Sequence, residues 1–141
     1  MSVWADFLDG VVARDPRANP PGFISIMRLP GIDGWEPGRV WVSWTPDESF
    51  LLPGGGAVFG GYLAAVADNV MALLMFTVLL DDENFTTSNL DLRFIRPVTP
   101  GPVEVEATIV NRGKRLAHCE LTIKRADGKL AAMADATQVI V

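Results

Sequence analysis

Tyr62 to Leu80 is a run of 19 residues whose only charge is Asp68, and nothing else in the chain limits its fold so tightly. A segment this apolar either crosses a bilayer or lies inside a protein. Three features favour the interior. Asp68-Asn69 falls in its first half, where lipid penalises a carboxylate. Its C-terminal flank is Asp81-Asp82-Glu83, and no Lys or Arg occurs between Phe50 and Leu92, so neither end has a basic anchor. The remainder of the chain reads as strands that need apolar cover. The run therefore predicts one long central helix over about residues 60–80 and no membrane partner. Its outer side is too apolar to face water, which implies a second subunit over it. An ordinary two-layer monomer is the competing reading.

The strands are clearest in the second half. Leu90, Leu92 and Phe94 alternate with Asp91 and Arg93 before the break at Pro97 and Thr99-Pro100-Gly101-Pro102. Val103, Val105, Ala107 and Ile109 alternate with Glu104, Glu106 and Thr108 as far as the turn Asn111-Arg112-Gly113. Ala117, Cys119, Leu121 and Ile123 alternate with His118, Glu120, Thr122 and Lys124 as far as Asp127-Gly128, and a last run goes from Leu130 to Val141. Period-two strands joined by short glycine-bearing turns form an antiparallel meander. In the first half, Val3, Trp4, Phe7, Leu8 and Val11 have helical spacing, predicting a helix over about 3–13 that ends before Pro16, Pro20, Pro21 and Gly22. Phe23–Leu29 and Val40–Thr45 are expected to be strands. A twisted antiparallel sheet with one apolar face, and one apolar helix to cover it, predicts an α+β domain with the sheet wrapped around that helix.

At 141 residues, 49% of them hydrophobic and 21% charged, the chain has the size and composition of a single folded domain spanning 1–141, not of a disordered one. A lone Cys119 and a lone His118 exclude a disulfide framework and a Cys/His zinc site. The net charge of −5 argues against a nucleic-acid partner. No secretory signal is legible in Met1-Ser2-Val3-Trp4-Ala5-Asp6, so a cytoplasmic location is expected.

Candidate chemistry concentrates around the helix. Pro53-Gly54-Gly55-Gly56-Ala57-Val58-Phe59-Gly60-Gly61 leads into it. Helix-opening N–H groups lack internal partners and favour an oxygen carrying negative charge. The run lacks the Lys-Ser/Thr of a phosphate-binding P-loop, and a loop needing unusual dihedrals explains its glycines equally well. Asp68 in apolar surroundings is a base or nucleophile, or else pairs across a subunit interface. Thr86, Thr87 and Ser88 open the next strand, where hydroxyls can position a water and Thr is also simply a good strand former. His118 belongs to the polar alternation and Cys119 to the apolar one. Seven of the twelve basic residues lie between Arg93 and Arg125, as either a local anion site or a solvated sheet face.

Together these residues resemble the hotdog-fold acyl-CoA thioesterases of the 4-hydroxybenzoyl-CoA thioesterase superfamily, in particular the phenylacetate-pathway branch. The resemblance runs from about Pro53 to Val139. It rests on Gly-Gly-Tyr-Leu-Ala-Ala-Val-Ala-Asp-Asn at 60–69, on Thr87 to Pro97, on Asn111 to Ala117, and on Asp127-Gly128-Lys129-Leu130-Ala131. It implies an active site between subunits of a homodimer or homotetramer. There the Gly60 N–H polarises the thioester carbonyl, Asp68 of the other chain attacks it or activates water, and Thr87 positions that water. It further implies that Phe59, Gly61 and Ser88 contact the substrate, and that Arg93, Arg96, Lys114 and Arg115 meet the phosphates of coenzyme A. Coenzyme A belongs to the substrate, so no separate cofactor and no metal are expected. Two positions depart from the family pattern: Phe59 stands where a His is common, and Pro53 where this branch places an Asn. A weakened thioesterase for medium-length or aromatic acyl groups follows, with a non-catalytic acyl-CoA or fatty-acid binding protein as the alternative. Hydratase chemistry on this fold normally needs an Asp-His pair near the helix, and the only His is at 118.

Overall fold

The computed structural model describes residues 2–18 and 22–141; Pro20 and Pro21 lie outside the described residues. Six strands form one antiparallel sheet in the order β1-β2-β4-β5-β6-β3. They are β1 (Gly34–Glu36), β2 (Arg39–Trp44), β3 (Phe85–Phe94), β4 (Val103–Arg112), β5 (Leu116–Lys124) and β6 (Leu130–Ile140). Among the described residues three α-helices accompany them: α1 (Val3–Val12), α2 (Phe23–Ile26) and the central α3 (Gly60–Phe76).

The meander follows the expected alternation. Val103, Val105 and Ala107 of β4, Ala117, Cys119, Leu121 and Ile123 of β5, and Ala132, Ala134 and Ala136 of β6 are buried on one face. They meet Leu63, Val66, Ala67, Val70, Met71 and Leu74 of α3 in a single core. Alanines on β6 leave room for the helix to sit close to the sheet, as dense packing of the two layers requires. The opposite sheet face carries the charged and polar residues, His118 among them; its Nδ1 lies 3.3 Å from the Thr137 hydroxyl. Cys119 is buried with its sulfur 3.9 Å from Met75 Sδ, and burial pushes its thiol up to about 12. It is a core residue with no thiolate to offer.

Three elements differ from the sequence expectation. Phe23–Ile26 is a helical turn, closed by Ile26 N–H to Gly22 and Met27 N–H to Phe23, where a strand was expected. It pairs with no strand among the described residues, and its backbone is satisfied locally. Conversely, Gly34–Glu36 is a short strand that pairs with β2 across the Pro37-Gly38 turn. Gly38 has φ 83°, a value suited to glycine. The central helix stops at Phe76, four residues short of the expected end. Thr77 caps it: its hydroxyl donates to the Leu74 carbonyl at 2.7 Å and accepts from Gly38 N–H at 2.9 Å.

The end of α3 is held from both sides. Phe76 contacts Trp4, Phe7 and Phe85 at ring separations of 4.5, 5.3 and 5.4 Å. Beyond it, Glu83 binds the half-buried Arg112 guanidinium, which joins the helix-to-β3 connection to β4. Arg112, and after it the Leu80 N–H, hold the Glu83 carboxyl below the usual range. A depressed folded-state pKa adds stability that is present above the unfolded value and lost as pH falls through the folded one. Glu83→Gln is therefore expected to be less stable than wild type at neutral pH and to converge with it in acid, as the pH falls through the depressed folded-state value. Urea midpoints at neutral pH and in acid check this, and an undiminished gap in acid refutes it.

Candidate active site

The segment before α3 is pinned at several points. Leu51 and Val58 form a bridge, Leu52 N–H donates to Ala57, and Gly55 N–H donates to Leu52. Gly54 and Gly55 have φ of 95° and 76°, so these glycines serve the turn itself. Val58 N–H then bonds Val98, and Phe59 N–H bonds Phe50, each at 2.8 Å. Tyr62 completes the anchorage. It is buried, its ring stacks on Phe50 at 3.9 Å, and its hydroxyl donates to the Arg28 carbonyl at 2.8 Å. The first turn of α3 is thus fixed in place, while Gly60 and Gly61 N–H, being first-turn donors, have no intrahelical acceptor.

Two aromatic rings flank this pair of glycines. A Cβ on Gly60 would lie 3.0 Å from the Phe94 ring, and one on Gly61 would lie 2.6 Å from the Phe59 ring. Both rings are large apolar surfaces left open, with Phe59 55% and Phe94 57% exposed. Beside Gly60 a cleft of about 380 Å³ opens, walled by Leu52, Val58, Leu63, Phe94, Ile95 and Val98. An apolar wall next to unpaired N–H groups suits a ligand that is apolar at one end and carries a carbonyl at the other. A second cleft, about 260 Å³, lies on the opposite sheet face around Trp41, Glu106 and Lys124. Its Arg39 is already committed, to Glu106 at 2.8 Å and to the Trp41 ring at 4.4 Å.

Asp68 lies on the stripe of α3 that the sheet does not cover, in line with Gly61, Ala64, Ala65 and Ala72. In the single protomer its carboxylate is exposed, so its own chain does not supply the apolar surroundings expected from sequence. Eight residues separate it from Gly60, roughly 12 Å along the axis at 1.5 Å per residue. One carbonyl group cannot touch both within a single protomer. A shared site requires two copies of the helix.

Thr87 reaches the helix-facing side through a register shift. β3 pairs with β6 as Thr87–Gln138 and then Asn89–Thr137, leaving Ser88 as a bulge. Strict alternation with Leu90, Leu92 and Phe94 would have turned Thr87 to the other face; the extra residue puts it on the helix-facing side, where it stays exposed at the open sheet edge. Ser88 is exposed at the bulge. The expected cations divide between the two ends of the sheet. Arg93 is exposed near the end of β3, and Arg96 follows that strand, donating to the Leu130 carbonyl at 2.7 Å. Both are at the Gly60 end. Lys114 and Arg115 occupy the β4–β5 hairpin beside Ile140 and Phe85, the length of β3 away, roughly 30 Å. Phe94 is the feature that sequence reasoning passed over as a site residue; only its contact with Gly60 reveals it.

A six-stranded antiparallel sheet packed on one central helix, with a glycine pair opening that helix, defines the hotdog class of α+β domains. Residues 55–132 match the model of the thioesterase superfamily, and the chain belongs to that family. It is 32% identical over 99 residues, covering 70% of this chain and 69% of the other, to a protein of Saccharolobus solfataricus named "Putative esterase". Among solved structures it resembles a phenylacetic acid degradation-related protein of Ralstonia eutropha JMP134 at 30% identity and TM-score 0.76, covering 92% and 98% of the two chains. A thioesterase of Haemophilus influenzae shares the fold at TM-score 0.82 and 18% identity, with 92% and 90% covered. So does a hypothetical thioesterase protein of Streptococcus pneumoniae TIGR4 solved with coenzyme A, at TM-score 0.74 and 18% identity, with 84% and 90% covered. Among the described residues, no helix is long and apolar enough to cross a membrane.

Proposed function

We propose that the protein is an acyl-CoA thioesterase acting on medium-length or aromatic acyl groups, with each active site built from two protomers. The observation that carries this reading is the separation, along α3, of the Gly60 N–H at its first turn from Asp68 on its uncovered stripe. A donor and an acid so placed are complementary only to a second, antiparallel copy of themselves. The long edge of β3 supports the same assembly. It spans ten residues, contains no proline, and pairs on one side only, which makes it a template for another strand. Two copies joined there extend the sheet and bring the α3 stripes together.

In such a site the Gly60 N–H and the positive end of α3 stabilise the oxyanion that forms as the thioester carbonyl is attacked. Asp68 of the second protomer attacks the carbonyl carbon itself or takes a proton from the attacking water. The tetrahedral adduct then collapses, the C–S bond breaks and the thiolate of coenzyme A leaves. In the base route it takes the proton that Asp68 gained from water. In the nucleophilic route water then hydrolyses the acyl–Asp68 anhydride, which releases the acid and a proton for the thiolate and restores the carboxylate. Thr87 positions the water. The acyl part lies along the apolar cleft, with Phe59 and Phe94 against its first carbons and Gly61 and Ser88 at its margins. Arg93 and Arg96 meet the nucleotide phosphates; Lys114 and Arg115 reach them only from another protomer. The solved neighbour holding coenzyme A agrees with a substrate of this class.

Thiol release from a panel of acyl-CoA esters tests the reading. Saturable turnover with preference for medium-length or aromatic groups is expected, and no turnover of any thioester overturns it. Phe59 and Pro53 favour one other outcome, a binding protein that kept the fold and lost the chemistry. Calorimetric binding of acyl-CoA without hydrolysis identifies it.

A further inference from the structure

Gln138 is the polar residue that β6 buries completely, at 0% exposure. It lies on the helix-facing side in line with Ala132, Ala134 and Ala136, where every other position of the strand holds a small apolar residue. Neither its Oε1 nor its Nε2 has a hydrogen-bond partner among the described residues. A buried amide without partners costs stability that an apolar side chain of similar size would not, so its chemistry has to be useful where it stands. Its cross-strand neighbours are Ala117 on β5 and Thr87 on β3. Ala117 offers no polar group. Thr87 does, and the Ser88 bulge is what places its hydroxyl on the same face. Directly opposed residues of an antiparallel pair have Cβ atoms ~5 Å apart, so a rotation of the Gln138 side chain brings its amide within reach of the exposed Thr87 hydroxyl, a bond that the single protomer does not make.

We propose that Gln138 is a positioning residue for Thr87; the inference rests on the thioesterase reading above. The Gln138 Oε1 accepts the Thr87 hydroxyl proton, directly or through a single bridging water. That leaves a Thr87 lone pair to accept one proton of the attacking water while Asp68 accepts the other, and the water lone pair then faces the thioester carbon. The amide thus sets the direction of the Thr87 hydroxyl, which rotates freely if left alone.

The test is a double-mutant cycle with Gln138→Met and Thr87→Val. Gln138→Met is expected to lower kcat ~10-fold with KM within ~2-fold, and to leave the unfolding midpoint equal or higher. In the Thr87→Val background the same change is expected to alter kcat by less than ~2-fold. Thr87→Ser, which keeps the hydroxyl, is expected to restore the sensitivity to Gln138→Met. Independent, multiplying effects on kcat, or an unchanged kcat in Gln138→Met where Thr87→Val is slow, overturn the proposal. A crystal structure reads the same link without turnover. The amide within ~3.2 Å of Thr87 Oγ1, or of a water bonded to it, supports the link, and an amide committed elsewhere refutes it. Absence of thioester hydrolysis by the wild type counts against the reaction itself, and the crystallographic contact then decides the Gln138–Thr87 link.

Discussion

Replacing Asp68 with Asn is expected to lower kcat for acyl-CoA hydrolysis by about 10²–10⁴-fold, the usual contribution of a positioned acid-base group, with KM changed by less than ~3-fold. The asparagine has the same shape and still occupies the uncovered stripe of α3, so the change deletes the charge and little else. The Asp68 side chain is exposed in the protomer, so the stability of the protomer itself should shift by less than ~0.5 kcal/mol, as at ordinary surface positions. Steady-state thiol release and a urea titration measure the two quantities. Unchanged kcat removes Asp68 from the mechanism. Single turnover in heavy-oxygen water identifies the nucleophilic role when label enters the Asp68 carboxylate, because that requires an acyl–Asp68 anhydride opened by water at the Asp68 carbon.

A loss of about 10²–10³-fold in kcat is expected for Gly60→Pro, the magnitude associated with one oxyanion donor. The substitution removes the N–H at the first helical position, where proline is well tolerated. Phe59, at φ −58° and ψ 127°, already has the extended backbone that a residue before proline adopts. The hydrogen bonds from Tyr62 and Leu63 N–H to the Phe59 carbonyl are untouched. A new Cβ at this position lies 3.0 Å from the Phe94 ring, so the ring must move aside. Gly60→Ala brings the same Cβ and keeps the N–H, and is expected to lose far less activity. Comparable losses in the two variants would assign the effect to crowding by Phe94 and take the donor role from Gly60.

Both substitutions probe a proposed site whose residue types were more legible in sequence than their geometry. The acid at 68 stood out because it is the one charge in an apolar helix, and the glycines at 60 and 61 because they open that helix. The alternation along β4, β5 and β6 was legible for the same kind of reason: each strand has one wet and one dry face, and that difference is written at every second residue. The helix end was less so. Thr77 to Leu80 are as apolar as what precedes them, and only the bonds of Thr77 to Leu74 and Gly38 stop the helix at Phe76.

Residue type and period, then, were enough to determine an antiparallel sheet packed on one greasy helix, and with them which side chains of the meander face inward. Tertiary structure alone decided three other matters: the inward turn of Thr87 at the Ser88 bulge, the contact of Phe94 with Gly60, and the division of the cations between opposite ends of the sheet. The reason is physical. Burial preference repeats along the chain and can be read locally, whereas a bulge, a ring against a distant glycine and the end of a strand depend on the partner strand and its register, which no local pattern contains.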